Sequence, residues 1–263
     1  MSQVCVITGG TSGIGRCAAE ALAARGHTVY TLSRRAAASD TTRHICADVT
    51  DEESVRAAVG QIIAEAGRID VLINNAGFGI SGAVEFTETA DAQRQLDVNF
   101  FGMVRMNRCV LPQMRAQGFG RIINLSSVAG AIPIPFQTYY SVSKAAVNAY
   151  TLALANEVRP FGVQVCCVQP GDIRTGFTAA REKCPLGDDV YHGRIARSVQ
   201  GMERDEQNGM SPETAGAYLA RLAEQRTVRQ VNTIGLQYKL FCVLAKLLPL
   251  RLVNFLVGQL YAK

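Results

Sequence analysis

Short, nearly continuous apolar runs recur along the chain at Gln3 to Ile7, Thr28 to Leu32, Arg43 to Cys46, Ile69 to Ile73, Arg121 to Leu125, Val163 to Val168 and Val231 to Ile234. Each has the length of a strand, and between most of them the apolar positions fall at helical spacing. Strands that are hydrophobic on both faces and alternate with amphipathic helices belong to a parallel sheet covered on both sides, with right-handed crossovers. The pattern therefore predicts one doubly wound α/β domain over residues 1–235, built on a seven-stranded parallel sheet.

Two stretches break the pattern. The segment from about Thr178 to Asn208 is polar, rich in arginine and interrupted by Pro185, Gly187 and Gly193, so it reads as a mobile insertion. It ends at Ser211, Pro212 and Glu213, which supply an N-cap, a first-turn proline and an early acid for another helix. Residues 236–263 alternate apolar blocks with Lys239, Lys246, Arg251 and Asn254, and Pro249 divides them into two short amphipathic helices.

Composition narrows the class. A chain of 263 residues with 48% hydrophobic and 19% charged residues can bury a sizeable core and is neither a disordered tail nor collagen-like. Eight cysteines are scattered among apolar neighbours without a CxxC pair, and His27, His44 and His192 lie far apart. Neither a disulfide framework nor a metal site is expected, and a reducing compartment is the simpler reading. The start of the chain runs directly into a strand without an export-signal pattern, which points to the cytoplasm.

The net charge is +5, but seven basic residues against the single acid Glu224 fall between Arg221 and Lys263. The excess belongs to the tail, and no aromatic and basic face accompanies it, so no nucleic-acid partner is expected. Neither apolar run of the tail reaches the ~20 residues that span a bilayer. It can pack against another subunit in a homodimer or homotetramer, lie on a membrane surface, or cap a pocket.

Candidate chemistry begins where the first strand gives way to the first helix, at Thr8-Gly9-Gly10-Thr11-Ser12-Gly13-Ile14-Gly15. Glycines there let the backbone turn tightly and approach a pyrophosphate, whose charge meets the helix N-terminal amides. A ribose-binding acid is expected ~20 residues further on, at the end of the second strand. Instead, Ser33, Arg34 and Arg35 offer a hydroxyl and two cations suited to a 2′-phosphate, so NADP(H) is favoured over NAD(H). Asp48 and Val49 follow the third strand, where the aspartate can meet an adenine amino group or cap the next helix.

Tyr140 and Lys144 are four residues apart and share one helix face. A free tyrosine titrates near ~10, and an ammonium together with the charge of an oxidised nicotinamide favours the phenolate and lowers that value. Ser127 lies thirteen positions before Tyr140. With the glycine turn, Asn74-Asn75-Ala76-Gly77, Asn99 and Pro170-Gly171, these residues resemble the classical short-chain dehydrogenases/reductases, from Val4 to Phe177.

The resemblance implies a Rossmann-type domain that interconverts a carbonyl and an alcohol by hydride transfer. It implies Tyr140 as acid and base, Ser127 on the substrate oxygen, Lys144 on the nicotinamide ribose, and Asn99 in a proton relay through water. It further implies that Asn75, Ala76, Gly77, Pro170, Gly171, Ile173 and Thr175 border the cofactor. The competing reading is a dinucleotide-binding regulatory protein without turnover, which needs only the glycine turn and Lys144. Between Ser127 and Tyr140 the run from Val128 to Phe136 is entirely apolar. With Phe177, its residues Val128, Ile134 and Phe136 suggest an apolar pocket wall for a steroid-, retinoid- or lipid-like substrate, as in the hydroxysteroid and retinol branch that the run resembles.

Overall fold

In the computed structural model, which describes residues 2–262, the apolar runs become strands that pair side by side. β1 (Val4–Thr8) leads through the glycine turn into α1 (Gly13–Ala23), then β2 (Thr28–Ser33), β3 (Arg43–Cys46), α2 (Glu52–Ala66) and β4 (Val71–Asn74). A short β5 (Ile80–Ser81), α3 (Thr89–Leu96) and α4 (Gly102–Gln117) precede β6 (Gly120–Leu125), α5 (Thr138–Val158) and β7 (Val163–Gln169). There follow α6 (Phe177–Ala180), β8 (Glu182–Lys183), α7 (Arg194–Gln207), α8 (Pro212–Glu224), β9 (Val231–Thr233), α9 (Leu236–Leu247) and α10 (Leu250–Tyr261).

The main sheet has seven parallel strands in the order β3-β2-β1-β4-β6-β7-β9, as the pattern predicts. Alternate residues of each strand enter opposite cores. Val4 and Val6 of β1 pack with residues of α2, α4 and α5, such as Val55, Met106 and Leu154. Cys5 and Ile7 pack with Ala18 and Leu22 of α1 and Leu219 of α8. Each fully buried Ile or Leu contributes ~1.5 to 3 kcal/mol, so both faces resist a slip of register.

Local chemistry sets the boundaries. Asp51 caps α2 by accepting from Glu53 N–H at 2.9 Å, and Gly67 closes it in the left-handed region at φ 72°. β4 starts two residues later than the hydrophobic run because the Gln117 side chain takes both Ile69 N–H, at 3.0 Å, and Ile69 C=O, at 2.9 Å. α8 begins as expected, Ser211 Oγ accepting from Thr214 N–H.

The segment 178–208 is more ordered than its glycines and proline suggest. It contains the fourteen-residue α7, whose Ile195, Val199 and Met202 pack on Ala83 and Phe136 in a third core. Arg181, fully enclosed, pairs with Glu206, and Lys183 pairs with Glu203, tying β8 to α7. The amphipathic spacing of α7 begins only after Pro185, Gly187 and Gly193, and Gly201 within it leaves the helix intact.

Sequence order reverses on either side of β1, so the crevice at the carboxyl ends of β1 and β4 is the expected ligand position of a doubly wound sheet. A hollow of about 520 Å³ at the other end of the strands is lined by Gln3, Arg68, Asp70 and Arg121. Its polar groups are engaged in holding the sheet: Asp70 accepts from Val4 N–H, and Arg121 donates to Leu222 and Ala223 carbonyls.

Candidate active site

A cleft of about 1790 Å³ opens over the carboxyl ends of the central strands. Gly9 and Gly13 hold positive φ of 63° and 51°, a backbone that side chains rarely adopt. Gly9, Ser12, Gly13 and Ile14 line one side of the cleft, and Pro170, Gly171, Ile173 and Thr175, beyond β7, line another. Thr11 is half-buried and does not line the cleft. Gly15 faces inward: a Cβ there would lie 2.4 Å from Asn75 Nδ2. That amide fixes the turn by donating to Thr8 C=O at 3.0 Å and Gly9 C=O at 3.1 Å. Asn75, Ala76 and Gly77 also line the cleft, while Asn74 ties the sheet by donating to Asn107 and Asn124.

At the end of β2, Arg34 and Arg35 are exposed, and Arg35 reaches the cleft wall. Ser33 Oγ donates to Arg35 C=O at 2.9 Å and so shapes this turn. Asp48 Oδ1 accepts from both Thr50 N–H, at 2.9 Å, and Thr50 Oγ, at 2.7 Å. Burial opposes its ionisation, but these bonds and the charges of Arg34 and Arg105 hold its carboxyl below the ordinary range. Val49 is buried against Gly102. The glycine turn, the cationic turn and the inward Gly15 fit a dinucleotide: amides and space for a pyrophosphate, and guanidinium groups for a further phosphate.

Ser127, Tyr140 and Lys144 meet on the same cleft. Ser127 Oγ accepts from Ala129 N–H at 3.1 Å, capping a 3-10 turn. Lys144 Nζ donates to Leu125 C=O at 2.7 Å and lies 5.6 Å from the Tyr140 ring centroid. Burial lowers the Lys144 ammonium to about 8. Burial also pushes the Tyr140 phenol up to about 12, with the Ser127 hydroxyl pulling the other way. In the protein alone, then, desolvation outweighs the ammonium, opposite to the direction expected from sequence.

Asn99 occupies a π-helical turn, Asp97–Phe101, between α3 and α4, where Gly102 N–H reaches back five residues to Asp97 C=O. Its side chain is committed: Nδ2 donates to Phe78 C=O at 2.9 Å and Ser143 Oγ at 3.1 Å, and Oδ1 accepts from Phe78 N–H at 2.9 Å. With these bonds the Asn99 side chain holds the loop after β4 against α5.

Of the expected apolar wall, Val128, Ile134 and Phe177 line the cleft, and the Phe177 ring lies 5.6 Å from that of Tyr140. Phe136 does not. It adopts φ 58°, is 8% exposed, and turns into the third core against Tyr191. Its place on the wall is taken by residues that periodicity did not single out, from α9 and α10: Leu240, Phe241, Leu244, Val253, Val257 and Tyr261. Tyr238 anchors this hairpin, donating to Asp172 Oδ2 at 2.6 Å with its ring directly against Gly171. Asp172 directly follows Pro170-Gly171, so its position was the available signal.

The fold and site define a dinucleotide-binding oxidoreductase. The family model for short chain dehydrogenases matches residues 3–185. A 3-ketodihydrosphingosine reductase of Bacteroides thetaiotaomicron is 42% identical, over 99% of this chain and 98% of that protein. A short-chain dehydrogenase from Streptomyces avermitilis superposes with a TM-score of 0.83 at 31% identity, covering 98% of this chain and 95% of that one. The structure described as ElxO with NADP bound gives a TM-score of 0.76 at 26% identity, over 91% and 99% of the two chains. The chain belongs to the short-chain dehydrogenase/reductase family.

Proposed function

We propose that the protein is an NADP(H)-dependent reductase of ketones that carry a long apolar chain. The observation that carries this reading is the continuity of the cleft from Tyr140 into the apolar channel between α9 and α10. The reductase from Bacteroides thetaiotaomicron, similar over nearly its whole length, supports the same class. Arg34 and Arg35 support NADP(H), as does the similarity to an NADP-bound structure.

When bound, a nicotinamide cofactor would supply the hydride. Ser127 would hold the carbonyl oxygen, and Tyr140, whose phenol is protonated at neutral pH, would give that oxygen its proton. Lys144 would hold the ribose. Reduction is the direction this protonation state favours, and the reverse oxidation should quicken as pH rises and Tyr140 loses its proton. The complete set of Ser127, Tyr140 and Lys144 on one cleft favours turnover over a purely regulatory nucleotide-binding role.

In a homologous series of ketones, each added methylene buried in the channel should raise kcat/KM about threefold to fourfold, from ~0.8 kcal/mol per CH₂. Steady-state rates of NADPH oxidation measure this; a series insensitive to chain length would exclude the channel as the chain's site.

The outer side of the hairpin carries a second reading. Val243, Leu247, Leu250 and Phe255 are at least half exposed beside Lys239, Lys246 and Arg251. Among the described residues no helix is long and apolar enough to cross a membrane. We propose that the hairpin rests on an anionic membrane surface, from which a lipid-like ketone would enter. Co-flotation with anionic but not zwitterionic vesicles is expected, and absence from the lipid fraction would exclude it. Exposed Phe101, edge-on to Phe100, which meets Tyr150 of α5, offers a separate apolar surface for self-association.

A further inference from the structure

The hairpin of α9 and α10 is joined to the rest of the protein unlike the other long helices. Among the described residues, none of the hairpin enters the two cores that pack the sheet. Each of its helices buries a single residue, Cys242 in α9 and Val257 in α10. Its two ends are held. Gly235, at φ 90°, leads into α9, where Tyr238 bonds Asp172. At the far end Ala262 C=O accepts from Arg194 Nε at 2.7 Å, and Tyr261 packs on the third core. The tip lacks such support, with Leu247 and Leu250 exposed at 75% and 81%. On the side that lines the cleft, Leu240, Phe241 and Leu256 are still between 45% and 54% exposed. An apolar face held at both ends, free at its tip and loosely packed on the wall opposite has the build of a flap.

The hairpin is fastened to a segment that also borders the glycine turn. After β7 the chain runs from Pro170 to Thr175 along the cleft. At one end the Tyr238 ring lies against Gly171, where a Cβ would run into it, and the Tyr238 hydroxyl donates to Asp172 Oδ2 at 2.6 Å. A short bond to a carboxylate is among the stronger hydrogen bonds. At the other end Thr175 faces the turn, for a Cβ on Gly13 would lie 3.5 Å from its side chain. Between them Asp172 C=O accepts from Met210 N–H at 3.0 Å, and Arg174 N–H donates to Met210 C=O at 2.9 Å, so the segment is braced along its length. Fixing Thr175 against a nucleotide therefore also fixes Asp172, and lowers the entropic cost of its bond to Tyr238.

We propose that Tyr238 is a positioning residue that latches the hairpin as a lid over the apolar channel, and that a nucleotide bound along Pro170 to Thr175 strengthens the latch. This rests on the reading of that segment as the border of the cofactor. With the tip lifted, the channel opens to the substrate's chain; with the latch closed, the hairpin keeps water from Tyr140 and the carbonyl. By reciprocity, a chain lying under the closed lid holds the nucleotide more tightly. Tyr238 lies beyond residues 3–185, so the latch belongs to the tail of this chain and not to the part that the family model matches.

Hydrogen–deuterium exchange read by mass spectrometry, on the full chain with and without saturating NADP⁺, tests this. Helices as short as α9 and α10 are marginal away from a packing surface, so their amides exchange when the hairpin lifts. NADP⁺ is expected to slow that exchange at least about fivefold, the low end of ordinary coupling between two sites. Tyr238→Phe should reduce the slowing to about twofold or less, whereas Asp172→Asn, which keeps a carbonyl acceptor for the hydroxyl, should retain most of it. Gly235→Ala, whose Cβ would press on the Tyr238 ring, gives the same readout if the Tyr238 variant does not fold. Slowed exchange in the glycine turn from Gly9 to Gly15 reports nucleotide binding itself. A protected turn with an unchanged hairpin would overturn the proposal. So would a Tyr238→Phe protein whose hairpin exchanges faster by the same factor with and without NADP⁺, as a merely structural role requires. A turn that NADP⁺ leaves unprotected would instead remove the cofactor reading, and the proposal with it.

Discussion

Replacing Tyr140 by phenylalanine is expected to lower turnover by at least ~10²-fold, the usual contribution of a positioned acid and base, while NADPH binding persists. The substitution keeps the ring that packs 5.6 Å from Phe177 and removes only the hydroxyl. Lys144 stays anchored to Leu125 C=O, so the part of the site that would hold the nucleotide ribose is not disturbed. Fluorescence titration with NADPH and steady-state rates separate the two effects. Unchanged turnover would remove Tyr140 from the chemistry, whereas equal losses of binding and rate would assign it a structural role.

Alanine in place of both Arg34 and Arg35 should weaken NADPH binding by about 10- to 100-fold, from ~1.5 to 3 kcal/mol for hydrogen bonds to a charged group. NADH binding should change little, because it lacks the phosphate these guanidinium groups would meet. Both arginines are exposed, so salt screens them and the NADPH preference of the unmodified protein should shrink as ionic strength rises. Equal losses for the two cofactors would show that the turn supports the fold and does not read the phosphate.

Much of the architecture was legible because its signals are local. A parallel strand covered on both faces must be apolar at successive positions, and the seven runs that satisfy this became the seven strands of the sheet. Tyr140 and Lys144 were readable from helical spacing, and the glycine turn from its place between strand and helix. Features that depended on tertiary packing were hidden. Asn99 is turned toward the Phe78 backbone by a π-helical step that composition does not announce. Phe136, indistinguishable in sequence from Ile134, takes a left-handed backbone and leaves the wall.

The acid and base pair shows the same division. Spacing placed the ammonium near the phenol, but the balance between attraction and desolvation depends on burial, which only the folded protein sets. The tail was ambiguous for a related reason. An amphipathic helix pair can serve a subunit, a membrane or a pocket, and the Tyr238 bond to Asp172 turns one of its faces onto the cleft.

Tyr140, Ser127 and Lys144 are proposed to support direct hydride transfer from NADPH to the carbonyl of a long-chain ketone. The most direct test of this uses NADPH carrying deuterium at both positions of the transferring carbon, with mass spectrometry of the alcohol product. One deuterium is expected on the former carbonyl carbon of each alcohol formed, with little product from the Tyr140→Phe protein. Alcohol formed without the label, or no alcohol from any long-chain ketone under saturating NADPH, would contradict it.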